Sequence, residues 1–170
     1  MAKTALITGG SRGIGAACAR VLAAGGHRVT IQYLISEAAS QALAAEVGGS
    51  AVRADVSDAG QVRQMFDTAG PVDILVCSAG ISLIKLFTDT TEEEWRRLLD
   101  TNLGGVINCC QAAIPQMVRN KYGRIIIISS VWGIIGASCE AVYAASKAAV
   151  NGWRLARPTP RPPRLMKCSR

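Results

Sequence analysis

The sequence predicts an α/β protein built on a Rossmann-like, doubly wound parallel sheet, and three observations carry that prediction. Short runs rich in Val, Ile and Leu alternate with longer Ala-rich segments, the pattern of repeated βα units. The apolar runs are continuous, as in Ile125-Ile126-Ile127-Ile128, which suits strands covered on both faces. The first run passes through a glycine-rich turn directly into an Ala-rich segment, the place where such sheets receive nucleotides.

The elements follow in order. Strands are expected over Lys3 to Thr8, Arg28 to Tyr33, Ser50 to Ala54, Val72 to Cys77 and Arg124 to Ser129, about five in all. Helices are expected near Gly13 to Ala24, Glu37 to Val47, Ala59 to Ala69, Glu92 to Asn120 and Tyr143 to Arg157. Ser36, Asp58 and Thr91 are placed to cap three of these, and Glu94 completes a capping box with Thr91. Pro115 is expected to bend or interrupt the longest helix, because it lacks an amide donor.

The 170 residues are 49% hydrophobic, 5% aromatic and 18% charged, enough apolar content for one compact domain. That domain is expected over residues 1–153. From Arg154 to Arg170 the chain turns into Arg and Pro, and four prolines stand between positions 158 and 163. This tail is expected to be irregular or polyproline-like.

The formal charge of +7 resides almost wholly in the tail, whose six basic residues face no acids and leave the body at +1. The tail has neither aromatic interleaving nor a folded scaffold, which argues against nucleic acid as a partner. No apolar run approaches the roughly 20 residues of a membrane span. The start, Met1-Ala2-Lys3, leads into a strand instead of a signal peptide, so a soluble, cytoplasmic protein is expected. Six cysteines without a Cys-x-x-Cys pair, and a single His27, predict buried reduced thiols and no metal site.

The glycine-rich turn is Thr8-Gly9-Gly10-Ser11-Arg12-Gly13-Ile14-Gly15. Glycines let the backbone approach a pyrophosphate closely, and the helix start offers unpaired amides and a positive dipole end. An ordinary strand-to-helix turn is the competing explanation. At the end of the second strand stands Tyr33, where an NAD-binding protein would offer a carboxylate to the adenosine ribose. With no anion there and Arg12 in the loop, NADPH (NADP) is favoured over NADH. Arg12 as a solvated loop cation is the alternative.

Tyr143 and Lys147 are four residues apart in a helical segment and so share a face. An ammonium held near a phenol favours its phenolate, as an acid/base catalyst requires. Ser130 follows the fifth strand at the carboxyl edge of the sheet, where its hydroxyl could meet a reacting carbonyl. Ser129 competes with it for that role. A snorkelling lysine on an amphipathic helix, and a capping or turn serine, are the bland alternatives.

These segments together resemble the classical short-chain dehydrogenase/reductase family: TGGSRGIG (Thr8 to Gly15), DVSD (Asp55 to Asp58), SAG (Ser78 to Gly80), TNLGG (Thr101 to Gly105), GRIIIISS (Gly123 to Ser130) and YAASK (Tyr143 to Lys147). They cover residues 1 to about 152 in the family's order. The resemblance implies that Gly9, Ser11, Arg12, Gly13, Ile14 and Gly15 hold the pyrophosphate side of the cofactor. It further implies that Asp55 and Val56 contact the adenine, and that Ala79 and Gly80 present backbone to the ribose. Ser130 would orient the carbonyl and Tyr143 donate the proton. Lys147 would assist the tyrosine and bind the nicotinamide ribose, and Asn102 would help hold the lysine and its relay water. A helix kink or cap is the alternative for Asn102.

Two departures from the family pattern stand out. Cys77-Ser78 occupies the place of two asparagines that tie the sheet to the cofactor loop. After Trp153 the family's further strands, substrate lid and Pro-Gly loop have no counterpart, and a shifted reading frame or truncated gene model from about Arg154 is the expected cause. The fifth strand would then be an exposed apolar edge, and aggregation is expected.

The resemblance implies an NADPH-dependent reductase acting on a small-molecule or carrier-bound keto substrate, most similar to 3-oxoacyl-acyl-carrier-protein reductases of fatty-acid synthesis, with a homo-oligomeric parent. The stretch Ser129 to Gly133 with Gly136 to Glu140 is similar to reductases of aminopentanone-modified elongation factor P. A chain that binds nucleotide without turnover is the remaining alternative.

Overall fold

In the computed structural model, residues 2–155 and 164–168 are described. Six parallel strands form one sheet in the order β3-β2-β1-β4-β5-β6: β1 (Thr4–Thr8), β2 (Arg28–Tyr33), β3 (Ser50–Arg53), β4 (Ile74–Cys77), β5 (Arg124–Ile128) and β6 (Arg164–Cys168). The helices are α1 (Gly13–Ala24), α2 (Glu37–Val47), α3 (Ala59–Ala69), α4 (Glu92–Leu99), α5 (Gly105–Arg119), α6 (Trp132–Ile135) and α7 (Ala141–Leu155).

Strand alternation explains the two-sided core. Odd residues of β1 send Ala5 and Ile7 to the face covered by Ala16 and Ala19 of α1 and Leu43 and Ala44 of α2. Leu6 points the other way, into the larger core with Val62 and Met65 of α3, Val106, Cys109, Ala113 and Met117 of α5, and Val150 of α7. Small residues on α1 and α2 let those helices lie close to the sheet. The connection order reverses between β1 and β4, which opens a crevice at the carboxyl ends of the strands.

Several local expectations need correction. The long helix is broken at residues 100–104, which form a π-helical turn, and not at Pro115, which sits inside continuous α5. Pro115 cannot satisfy the carbonyl of Gln111, but Gln111 is exposed and water can do so. Ser36 occupies an N-cap position without a side-chain cap bond. Its carbonyl instead accepts from the Ser40 hydroxyl at 2.7 Å. Asp58 caps α3 through the amides of Gly60 and Gln61, and Thr91 with Glu94 makes the full capping box of α4.

The tail also departs from expectation. Arg164–Cys168 pairs in parallel with β5 from Arg124↔Arg164 to Ile128↔Cys168, so β5 is interior and not the edge. These residues follow the last proline, so every amide can join the ladder, and the open side of β5 is a template for pairing. Positions 156–163 and 169–170, where the remaining irregular tail was expected, lie outside the described residues. Ile125 and Ile127 are buried, whereas Ile126 and Ile128 are only half-buried, so the two faces of β5 are covered unequally. Among the described residues no helix is long and apolar enough to cross a membrane.

Candidate active site

A cleft of about 760 Å³ opens along the carboxyl ends of β1, β2 and β4. It is lined by the loop after β1 (Gly9, Ser11, Arg12, Gly13, Ile14), by Tyr33 after β2, by Asp55 and Val56 after β3, by Ala79 and Gly80 after β4, and by Tyr143 and Lys147 of α7. Twelve residues singled out from the sequence therefore share one wall-to-wall cavity. Gly15, Asn102 and Ser130 lie behind or beside its lining.

The glycines have separate reasons. Gly9 has φ +62°, and a Cβ there would come within 2.7 Å of the Ala79 Cα. A Cβ on Gly15 would collide with the Gly9 carbonyl oxygen, so only glycine lets α1 start against the loop. Arg12 holds the N-cap position of α1 in extended backbone, without a side-chain cap bond, and the first turn carries no acid. The helix start is thus a set of amides and a positive dipole end with no built-in counter-charge.

One neighbouring loop is tied to the end of β1, and a second is braced within itself and from α5. The Thr8 hydroxyl oxygen accepts from the amides of Ser78 at 3.1 Å and Ala79 at 3.2 Å. This contact holds the loop after β4 against the end of β1. Asp55 accepts from the Ser57 amide at 2.9 Å and hydroxyl at 2.6 Å, and Asn108 of α5 donates to the carbonyl of Val56 at 3.0 Å.

Lys147 is 6% exposed, which removes the snorkelling alternative. Its ammonium donates to the Ile128 carbonyl at 3.0 Å and sits 5.7 Å from the centroid of the Tyr143 ring. Burial pushes the lysine below its ordinary range, with Cys77 acting weakly the other way. Asn102 is fully buried inside the π-helical turn. Its carbonyl oxygen accepts from the Ile81 amide at 2.8 Å, and its amide donates to the Ile81 carbonyl at 2.8 Å and the Ser146 hydroxyl at 3.1 Å. The kink expected as an alternative for Asn102 is present, and it is what turns the side chain toward the loop after β4. A Cβ on Gly80 would lie 3.2 Å from Asn102 Oδ1 and 3.6 Å from Lys147 Nζ, so these groups meet at one point of the cleft.

The two serines differ in where their protons go. Ser129 lines the cleft, but its hydroxyl donates to Asn151 at 2.9 Å. Ser130 accepts the Trp132 amide at 3.2 Å, and its own O–H has no protein acceptor among the described residues. Only Ser130 keeps a proton to offer.

Gln32 escaped the sequence reading. It is buried and lines the cleft, and its side chain bridges the Gly9 amide and the Ala54 carbonyl. A carboxamide in a strand otherwise made of β-branched and aromatic residues, Val29-Thr30-Ile31-Gln32-Tyr33, was the available signal. The thiols also divide: Cys77, Cys109 and Cys110 are buried as expected, whereas Cys139 is exposed. Burial pushes the Cys109 thiol up to about 12. Among the described residues no group of His, Cys, Asp and Glu could hold a metal ion.

Comparison with known proteins bears on this arrangement. The model of the short chain dehydrogenase family matches residues 3–157. The chain is 42% identical over 161 residues to the 3-oxoacyl-(acyl-carrier-protein) reductase FabG of Staphylococcus aureus (strain Mu50), covering 89% of this chain and 65% of the relative. It is 38% identical over 157 residues to the acetoacetyl-CoA reductase of Paracoccus denitrificans, covering 90% and 65%. A solved short chain dehydrogenase/reductase family protein superimposes with a TM-score of 0.85 at 34% identity, over 89% of this chain and 65% of that one. The chain thus spans just under two thirds of the length of these relatives. With the matched model running from the first strand through the Tyr143 helix, the chain belongs to the short chain dehydrogenase family.

Proposed function

We propose that the protein is an NADPH-dependent reductase of a keto group carried on an acyl thioester, in the manner named for its 3-oxoacyl-(acyl-carrier-protein) and acetoacetyl-CoA reductase relatives. The observation that supports this best is the meeting of Tyr143, buried Lys147 and Asn102 at one end of the glycine cradle. The cradle fits a dinucleotide: it leaves an uncapped helix start at Gly13, Ile14 and Gly15 and excludes any Cβ at Gly9 and Gly15.

In this reading Gly9 to Gly15 hold the pyrophosphate, Arg12 faces the 2′-phosphate beside Tyr33, Asp55 and Val56 flank the adenine, and Ala79 and Gly80 meet the ribose. The reduced nicotinamide, when bound, supplies the hydride. Ser130 donates its free O–H to the substrate carbonyl oxygen, Tyr143 gives that oxygen its proton, and the Lys147 cation stabilises the phenolate left behind. Asn102 holds the loop at Ile81 in place beside the lysine. NADPH oxidation in the presence of an acetoacetyl thioester tests the reading. Thioester-dependent oxidation is expected, and its absence in folded protein that binds NADPH would refute the reductase assignment.

A further inference from the structure

We infer that Gln32 is a positioning residue for the cofactor: its carboxamide, and not the glycine loop alone, sets the shape of the cradle. Gln32 is 2% exposed and stands at the penultimate position of β2. It makes three bonds at once. Its backbone carbonyl accepts the Gly10 amide at 3.1 Å, its Oε1 accepts the Gly9 amide at 2.8 Å, and its Nε2 donates to the Ala54 carbonyl at 2.6 Å. An amide can only donate and a carbonyl can only accept, so the two side-chain partners fix the carboxamide's orientation without ambiguity.

Two consequences follow. First, the Gly9 and Gly10 amides point down to Gln32 and are spent, so the loop donors left for a pyrophosphate run from Ser11 into the start of α1. Second, the same side chain joins the loop after β1 to the turn that begins at Ala54 and continues through Asp55 and Val56. The two walls proposed to hold the pyrophosphate and the adenine are therefore held at a fixed separation by one buried group. Gly9 has no slack to compensate, because its φ is +62° and its Cα is packed against Ala79.

This inference rests on the proposed NADPH site, and its test separates the two. Binding of NADP+ is titrated for the wild type, Gln32→Met and Gln32→Glu, together with urea midpoints of the unliganded proteins. Gln32→Met keeps the volume and loses both side-chain bonds. Its dissociation constant is expected to rise about 10- to 100-fold, the cost of leaving the Gly9 amide and the Ala54 carbonyl without partners in the bound state.

Gln32→Glu supplies the distinguishing signature. A neutral carboxyl can accept from Gly9 and donate to Ala54, whereas a carboxylate faces the Ala54 carbonyl with no proton. Its affinity, relative to wild type at the same pH, should recover as the pH is lowered and fall as it is raised. A merely structural role would lower the urea midpoints of both variants while leaving the affinity of the folded protein within about two-fold and independent of pH; that result overturns the inference. A wild type that binds no NADP+ overturns the proposed site itself, and the role of Gln32 with it.

Discussion

At the glycine-loop end of the cleft each turn is fastened by a buried polar side chain: Gln32 under Gly9, Thr8 under Ser78 and Ala79, Asn102 against Ile81. Outside the lining of the cleft, residues 83–87 and α6 form an opposite end that is fastened differently. The Lys85 amide donates to the Cys139 carbonyl at 2.8 Å, and its ammonium pairs with Glu94 at 3.0 Å. Around these contacts Ile84, Leu86, Phe87, Ile134 and Ile135 are exposed. One end is a frame of buried polar side chains that suits a constant ligand, and the other presents exposed apolar side chains. The chemistry expected of Tyr143 and Lys147 lies where the two ends meet.

The largest expected effect probes that meeting point. Tyr143→Phe should lower thioester-dependent NADPH oxidation about 10²- to 10⁴-fold, with NADPH affinity unchanged in a fluorescence titration. Loss of affinity along with rate would mean that the tyrosine belongs to the frame and not to the reaction.

At the glycine-loop end, Gly15→Ala drives a methyl group into the Gly9 carbonyl. It should cost about 1–3 kcal/mol by urea unfolding and weaken NADPH binding. At the apolar end, Phe87→Ser and Ile135→Ser should leave stability within about 0.5 kcal/mol, because both side chains are already exposed. They should raise the KM for the thioester without altering NADPH affinity. Equal destabilisation at the two ends would erase the contrast.

The smallest effect is one of slope. Because burial holds Lys147 below its ordinary range, the unfolded chain binds more protons between the folded and ordinary values, and stability rises with pH there. The cost of burying the cation is present in full below the folded value and disappears as pH approaches that of a free lysine. The urea midpoint of the wild type should therefore gain on that of Lys147→Met as pH is raised from neutrality, and a constant gap would contradict this.

The strands, most helix ends and the glycine cradle were legible because they depend on local patterns: continuous apolar runs, Gly at Gly9 and Gly15, Thr91 followed by Glu94. What escaped depended on distant partners. Gln32 and Thr8 act on residues 23 and about 70 positions away along the chain, and no local pattern encodes such bonds. The break at residues 100–104 stood only as the alternative role for Asn102, because proline is a visible interruption whereas a π-helical turn is marked by distant contacts, those of Asn102 with Ile81 and Ser146. The sixth strand was hidden by its neighbours, since Pro and Arg dominate the segment and Leu165 and Met166 form only a short apolar run. The choice between Ser129 and Ser130 needed the proton of each hydroxyl to be traced to Asn151 or left free.

The most direct test of the cleft as a preformed NADPH site is a fluorescence titration of the protein with NADPH and with NADH, repeated on Arg12→Ala. Binding of NADPH about ten-fold tighter than NADH, with the difference abolished in Arg12→Ala, is the predicted result. Folded protein that binds neither nucleotide, or binds both equally, would contradict it.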